Sequence, residues 1–189
     1  MRRRAAHRPQ RVPIFIGCEG ESEVGYVALL DTFARDANLP VHLYAELLTG
    51  AGDPLSRVER AVMRLQHLAS RRGTFRHRFI LMDDDQVAEA PDRAERARTL
   101  ARQNSIQLIW QQPCHEAFLL RHHLGRDTHR PPDSPNAGRA LEREWPQYRK
   151  PMAAIDLRAR MDIEAVYRVA RVEPEFAALL RAIGLTGFE

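Results

Sequence analysis

Residues 79–86, FILMDDDQ, run from four apolar side chains directly into three aspartates. The apolar run is typical of a buried strand, whereas three adjacent carboxylates repel one another and resist losing their water. A metal ion, the N-terminus of a helix or solvent could each offset that electrostatic cost. The remainder of the chain has to distinguish these three explanations.

Strand-like and helix-like segments alternate through the first two thirds of the chain. Apolar runs predict strands at residues 12–18, 41–47, 78–82 and 105–110. Helical spacing of apolar residues lies between them, at 23–35 with Ser22 as the expected N-cap, after Asp53-Pro54, and at 90–102. This alternation predicts an α/β fold with a central, mostly parallel sheet of about four strands.

The rest of the chain is predicted to be mostly helical. A helix is expected at residues 114–124, a Pro-rich polar loop at 126–138, and further helices at 139–145, 156–171 and 174–183. The predicted organisation is a flexible basic arm at 1–11, an α/β domain at 12–152, and a helical extension at 153–189 packed on the same domain. The apolar positions Phe176, Leu179, Leu180 and Ile183 could bury in this chain or against a second copy, so a homodimer is one expectation.

The composition limits which class of protein this can be and which partners it is suited to bind. The 189 residues are 44% hydrophobic, with a net charge of +4 and a pI of about 9.6. No apolar run reaches the roughly 18 residues of a membrane span, and the apolar stretch after the basic N-terminus is too short for a signal peptide. We therefore expect a cytoplasmic protein without membrane contact. The basic balance fits an anionic partner such as nucleic acid, and Lys150 is the only lysine in the chain.

Acidic residues follow three of the predicted strands. Glu19 follows the first strand, Asp83 to Asp85 follow the third, and Glu116 lies shortly after the fourth. Functional residues of open α/β sheets collect beyond the carboxyl ends of the strands. We therefore expect these acids, although distant in sequence, to meet at one edge of the sheet.

Spacing within the aspartate run selects the side chains that would share a site. In an extended chain, Asp83 and Asp85 point to one side and Asp84 to the other. With Glu19 from the neighbouring strand they would form an all-oxygen site, which suits Mg²⁺ or Mn²⁺. The alternative is that one or two of the aspartates cap the following turn, and that Glu23 is an ordinary acid at a helix start.

Four short motifs in order resemble those of a known family. An apolar strand ending in Glu19-Gly20, followed by Ser22-Glu23 and Tyr26, and a later strand ending in Asp83-x-Asp85, resemble a Toprim domain. The closer resemblance is to the RloB family, whose next helix is matched at Pro113, Glu116, Phe118, Leu119, Leu120 and His122, followed by a Y-x-K at 148–150. The resemblance covers roughly residues 12–152. The chain departs from the family pattern at Asp84, His115 and His123.

The resemblance implies a fold and a reaction. The fold would be a Toprim-like three-layer sandwich, and the reaction would be phosphodiester cleavage by a metal-activated water. By this resemblance Asp83 and Asp85 hold Mg²⁺ or Mn²⁺, and Glu19 is the general acid/base. Glu23 and Glu116 would be outer or second-metal ligands, Lys150 would meet phosphate charge in the transition state, and Arg2, Arg3 and Arg4 would contact the nucleic-acid backbone.

RloB proteins are encoded beside restriction and other phage-defence genes, so the resemblance implies a nuclease effector of anti-phage defence, with a possible partner from the same operon. The alternative is a non-catalytic Toprim-like module that binds nucleic acid, a nucleotide signal or a defence partner. The small size and the lack of a G-x-x-x-x-G-K-[ST] motif keep that alternative open. The three histidines at 115, 122 and 123 are more typical of partly buried or surface positions than of a transition-metal cluster.

Overall fold

The computed structural model describes residues 11–50 and 52–189. Residues 1–10 of the predicted basic arm, with Arg2, Arg3 and Arg4, therefore lie outside the described residues. The centre of the fold is a four-stranded sheet in the order β2-β1-β3-β4, in which all neighbouring strands are parallel. The strands are β1 (Val12–Cys18), β2 (Val41–Leu47), β3 (His77–Asp83) and β4 (Gln107–Gln111).

Helices follow every strand and make up the C-terminal third. The first three are the crossover connections that parallel strands require, and the later ones pack as a group beside the sheet. They are α1 (Glu21–Asp36), α2 (Pro54–Arg72), α3 (Pro91–Gln103), α4 (His115–Leu120), α5 (Ser134–Glu144), α6 (Ala154–Arg158), α7 (Ile163–Val172) and α8 (Pro174–Ile183).

Side-chain alternation along the strands builds a core on each face of the sheet. Ile16 and Leu81 face a large apolar cluster that also includes residues of α1, α4, α7 and α8. Phe15 and Ile80 point to the opposite face, against α2 and α3. Because successive strand residues alternate between faces, nearly uninterrupted apolar runs are what a sheet covered on both sides needs. The predicted α/β fold class, a Toprim-like three-layer sandwich, is confirmed.

Four local predictions are wrong. The N-cap of α1 is Gly20 rather than Ser22, because the helix begins at Glu21. Helix α4 ends at Leu120, before a series of turns, rather than continuing to 124. Helix α5 starts at Ser134, inside the segment predicted to be a loop, where the Asp133 side chain accepts the Asn136 N–H and caps the helix. The single helix predicted at 156–171 is two helices, since Asp162 caps a new one.

The apolar face of α8 is used within the chain. Phe176, Leu179 and Leu180 are fully buried, and Ile183 is 1% exposed, in the cluster that also contains β1 residues. A homodimer would therefore need a different surface. Among residues 11–50 and 52–189, no helix has both the length and the apolar character to cross a bilayer.

Candidate functional site

The carboxyl ends of β1, β3 and β4 meet at one edge of the sheet, and the predicted acids lie there. Glu19 directly follows β1, and its Oε2 accepts the backbone N–H of Asp83 at 2.9 Å. Its other oxygen, Oε1, lies 2.5 Å from Nη2 of Arg57, a nearly buried residue of α2. Glu19 therefore links the ends of β1 and β3, and the guanidinium of Arg57 on α2 holds its carboxylate in place.

A buried glutamine connects the second group of site residues. Glu23 lies in the first turn of α1, where its Oε2 accepts the Gly20 N–H at 3.0 Å. Gln111, the last residue of β4, is fully buried. With its amide oriented to satisfy all its neighbours, it donates to Asp83 Oδ1 and Glu23 Oε1, each at 3.2 Å, and accepts from His115 Nδ1 at 2.8 Å. The strand end thus fixes two carboxylates with one amide.

The third group comes from α4 and the segment after α5. Oε1 of Glu116 accepts a hydrogen bond from the hydroxyl of Tyr148 at 3.2 Å and lies 2.8 Å from Nζ of Lys150. The Lys150 side chain is 59% exposed, so its ammonium group is at the surface. The Y-x-K segment therefore contributes a hydroxyl and an amine to the same edge as the acids.

The three aspartates diverge where β3 ends. Asp83 adjoins the carboxylates of Glu19 and Glu23, whereas Asp84 adjoins the charge of Arg121. Asp85 is exposed, and its Oδ2 accepts a hydrogen bond from the Ser134 hydroxyl at 3.0 Å. The negative charge of Asp85 acts on both Asp83 and Glu19. The alternation of side chains thus places Asp83 and Asp84 in different surroundings.

The concentration of carboxylates changes the acidity of the site. Burial, together with the negative charges of four neighbouring carboxylates, raises the pKa of Asp83 to about 9. Burial also raises the pKa of Glu19, although the hydrogen bond from Asp83 and the charge of Arg57 oppose it. Asp83 is therefore protonated at neutral pH unless a cation joins the site. The neighbouring carboxylates that raise its pKa are those of Glu19, Glu23, Asp85 and Glu116.

Glu116 behaves differently because it has its own cation. Burial alone would raise the pKa of Glu116, but the hydrogen bond and the charge of Lys150 outweigh burial, and the net pKa is lowered. Burial likewise opposes the charged form of Lys150, and the contacts with Glu116 raise its pKa overall. The Glu116–Lys150 pair therefore stays ionised at neutral pH. The neighbouring carboxyl group of Asp83 is protonated at the same pH.

Two of the three histidines are core residues. His115 and His122 are 1% and 2% exposed, so both are more deeply buried than expected. Burial lowers the pKa of both, that of His122 to about 3. The ring of His122 hydrogen bonds to the Tyr26 hydroxyl at 2.7 Å and to the Phe118 carbonyl at 3.0 Å. These contacts make His122 a neutral packing residue.

The fit of the site to a divalent metal rests on charge and oxygen chemistry. Within the described ranges 11–50 and 52–189, no group of three or more His, Cys, Asp or Glu side chains is arranged so that it could hold a metal ion. Both oxygens of Glu19 have protein partners. Mg²⁺ commonly binds through one or two carboxylates and keeps several waters. Burial and the charges of neighbouring carboxylates raise the pKa of Asp83 to about 9. A hydrated dication bound through one or two carboxylates would suit these residues better than an ion held by a full set of protein ligands.

Gln111 and Arg57 belong to the site but were not predicted from the sequence. Gln111 is the register partner of Asp83 at the ends of β3 and β4, so its position as a polar residue closing an apolar strand was the available signal. Arg57 is 6% exposed and lies between the buried Leu55 and Val58 of α2. An arginine inside the apolar stripe of a helix indicates a buried anionic partner, but the sequence does not say which one.

Comparison with known proteins identifies the family of the chain. No curated protein and no solved structure gives a significant match. The family model for RloB-like proteins matches residues 14–181, which include β2, β3, β4, most of β1, the acidic edge and the Y-x-K segment. The chain therefore belongs to the RloB-like family.

Proposed function

We propose that this protein is a metal-dependent nuclease that cleaves phosphodiester bonds. The proposal is supported by the surroundings of Asp83 at the carboxyl edge of the sheet, where burial together with the negative charges of four neighbouring carboxylates raises its pKa to about 9. A site so rich in negative charge gains stability from a dication. Hard dications bound by carboxylates and water recruit phosphate oxygens, which is the chemistry of many nucleases.

The acidic residues of the site would bind the metal ion or transfer a proton. Asp83, with Asp85 beside it, would hold Mg²⁺ or Mn²⁺, and Glu23 and Glu116 would bind the outer waters of the ion or a second ion. The ion supplies an activated water and neutralises charge on the phosphate when bound. Glu19 would move the proton of the attacking water after one of its oxygens leaves Arg57.

Lys150 is suited to the phosphate itself. Its amine is largely exposed while its partner Glu116 is mostly buried, so the amine can turn from Glu116 towards a bound phosphate without leaving the site. A positive charge placed where negative charge develops lowers the barrier of the cleavage step. The arginine-rich composition and the pI of about 9.6 favour a nucleic-acid substrate, bound with a strong dependence on salt.

The family supports a biological setting. RloB-like membership and the resemblance described above favour a nuclease effector of prokaryotic anti-phage defence, acting in the cytoplasm with a protein from the same operon. Expression of the operon in a host should lower phage plating efficiency, and the Asp83→Asn variant should remove that protection. Protection that survives Asp83→Asn would contradict a role for cleavage in defence.

The test of the proposed reaction is cleavage by matched variants. DNA and RNA oligonucleotides, single- and double-stranded, are incubated with Mg²⁺ or Mn²⁺ and with EDTA. We expect metal-dependent products from the wild type and at least a 100-fold loss in Asp83→Asn and Asp85→Asn. Asp156→Asn, an exposed aspartate of α6, is the control. Cleavage that persists in both site variants would show that the metal assignment is wrong.

A non-catalytic role is the second candidate, and one observation favours it. The described acids do not form a three-ligand group, and Glu19 is already neutralised by Arg57. In that case the edge would only bind nucleic acid, a nucleotide signal or a defence partner. Calorimetry distinguishes the two candidates, because a binding module would show no uptake of Mg²⁺ or Mn²⁺ while nucleic-acid binding survives in EDTA.

A further inference from the structure

Arg121 is a fully buried cation whose hydrogen-bonding capacity is incompletely used. It follows α4 directly, its exposed fraction is 0%, and its Nη1 donates to the Gln112 carbonyl at 2.9 Å. Its Nε lies 3.1 Å from Oε1 of Glu173. Neither Nη2 nor Nε has a hydrogen-bond partner among the described residues, so the contact between Nε and Glu173 is an ion pair only. Burying a guanidinium with a free donor is unfavourable, which points to a partner that this state of the molecule does not supply.

A second arginine converges on the same carboxylate. Nη2 of Arg130, from the segment between α4 and α5, lies 2.7 Å from Oε1 of Glu173. Glu173 is also the residue that precedes α8, a ten-residue helix whose N-terminus has no side-chain cap. Two guanidiniums and the positive end of a helix dipole therefore meet at one carboxylate oxygen. Such a combination of donors is typical of a phosphate site.

The cluster formed by Arg121, Arg130 and Glu173 adjoins the acidic edge. The Asp84 N–H donates to the carbonyls of Gln111 and Pro113, at 3.4 and 3.2 Å, and the charge of Arg121 acts on the Asp84 carboxylate. Asp84 is the residue after Asp83. A nucleic-acid strand crossing the edge at Asp83 would therefore bring a neighbouring phosphate close to the two arginines.

We propose that Arg121 and Arg130 form a binding site for a backbone phosphate of the nucleic-acid substrate, and that the Glu173 carboxylate occupies this site until substrate displaces it. This proposal rests on the proposed function, since it places the phosphate next to the scissile one. Arg130 and Glu173 have side chains that are 36% and 16% exposed, so the phosphate enters from solvent and meets Arg121 behind them. The negative charge of Asp84 continues to compensate the positive charge of Arg121 while phosphate replaces the Glu173 carboxylate.

The experiment replaces Arg130 and Glu173, the two partly exposed residues of the cluster. Arg121 is left intact because replacing this buried residue would unfold the core. Binding of a fluorescent single-stranded oligonucleotide is measured in EDTA across a salt series. Arg130→Gln should weaken binding about 5- to 10-fold at low salt and reduce the salt slope by about 0.7. Glu173→Gln removes the competing carboxylate and should tighten binding about 3- to 10-fold.

A matched control exists in the same segment. Arg126 forms an equivalent ion pair with Glu144, so Arg126→Gln and Glu144→Gln change charge equally but away from the cluster. Thermal unfolding checks that every variant is folded. Equal losses in Arg130→Gln and Arg126→Gln, or unchanged or weakened binding in folded Glu173→Gln, would overturn the proposal.

Failure of this proposal can be told apart from failure of the proposed function. Binding in EDTA involves no cleavage, whereas the nuclease proposal depends on metal-dependent products that disappear in Asp83→Asn. If Glu173→Gln tightens binding but the wild type gives no metal-dependent cleavage products, the phosphate site stands and the nuclease proposal falls. If Asp83→Asn abolishes cleavage but the Arg130 and Glu173 variants bind as the controls do, the nuclease proposal stands and the phosphate site falls.

Discussion

Replacing Asp83 by asparagine should stabilise the metal-free protein at neutral and alkaline pH. An aspartate in an unfolded chain has a pKa of about 4, whereas burial and neighbouring carboxylates raise the pKa of Asp83 to about 9 in the fold. Between those pH values the folded state binds a proton that the unfolded state lacks. The stability contributed by this group is therefore lost as pH rises through that window, by about 1.4 kcal/mol per pH unit.

The size of the effect follows from the width of the window. At pH 7 about three pH units have been crossed, so the upper limit of the destabilisation is about 4 kcal/mol. Water entry and small side-chain movements relieve part of the repulsion, so we expect Asp83→Asn to gain about 1–3 kcal/mol at pH 7. The amide also keeps an oxygen that can accept from Gln111, its neighbour at 3.2 Å.

Urea unfolding in EDTA at pH 5.5, 7.0 and 8.5 measures this gain. The stability difference between Asp83→Asn and wild type should widen with pH, and the exposed Asp156→Asn should show no such trend. If Asp83→Asn is less stable than wild type by the same amount at all three pH values, the pKa of Asp83 is not raised and its carboxyl group is an ordinary hydrogen-bonded one.

Three further substitutions test the supporting contacts. Arg57→Gln leaves the Glu19 carboxylate without its ion pair and should lower the free energy of unfolding by about 1–3 kcal/mol in urea melts; an unchanged melt would contradict that role. Gln111→Glu adds a carboxyl group next to Asp83 and should lower the melting temperature more at pH 8 than at pH 5.5. Lys150→Met should lower the rate of metal-dependent cleavage at least 10-fold while the largely exposed position leaves the melting temperature nearly unchanged.

The strands and their shared edge were predictable because short-range patterns determine them. Strand β1 was predicted at the observed bounds, and β3 within one residue at each end. Once parallel strands are inferred, the rule that their carboxyl ends meet places Glu19 beside Asp83 without further information. The observed hydrogen bond from the Asp83 N–H to Glu19 shows that proximity directly.

The buried polar partners could not be predicted because their environment is made by distant segments. Arg57 is a helix residue whose counter-ion follows a different strand, and Arg121 depends on Glu173, which is 52 positions away by sequence number. The sequence can indicate that such an arginine is buried, as it does for Arg57, but it does not identify the counter-ion. Only the tertiary arrangement shows how they are paired.

Two helix starts were predicted wrongly although a capping residue marks each of them. The proline content of one segment and the continuous helical spacing of the other concealed these caps. The loop prediction at 126–138 followed its proline content, but Asp133-Ser134-Pro135 is also a helix start, with Asp133 as N-cap. In the same way Asp162, inside an apparently continuous helical pattern, begins α7 by accepting the Ala165 N–H. Capping residues within a segment therefore deserved more weight than the overall composition.

Anomalous diffraction from crystals soaked in Mn²⁺ tests directly whether Asp83 binds a metal ion. We expect one anomalous peak at the carboxyl edge of the sheet, within coordination distance of an Asp83 carboxylate oxygen and with waters completing the shell. The peak should disappear in Asp83→Asn crystals soaked in the same way. The absence of a peak at this edge at saturating Mn²⁺, or a peak that survives in Asp83→Asn, would show that Asp83 does not hold the ion.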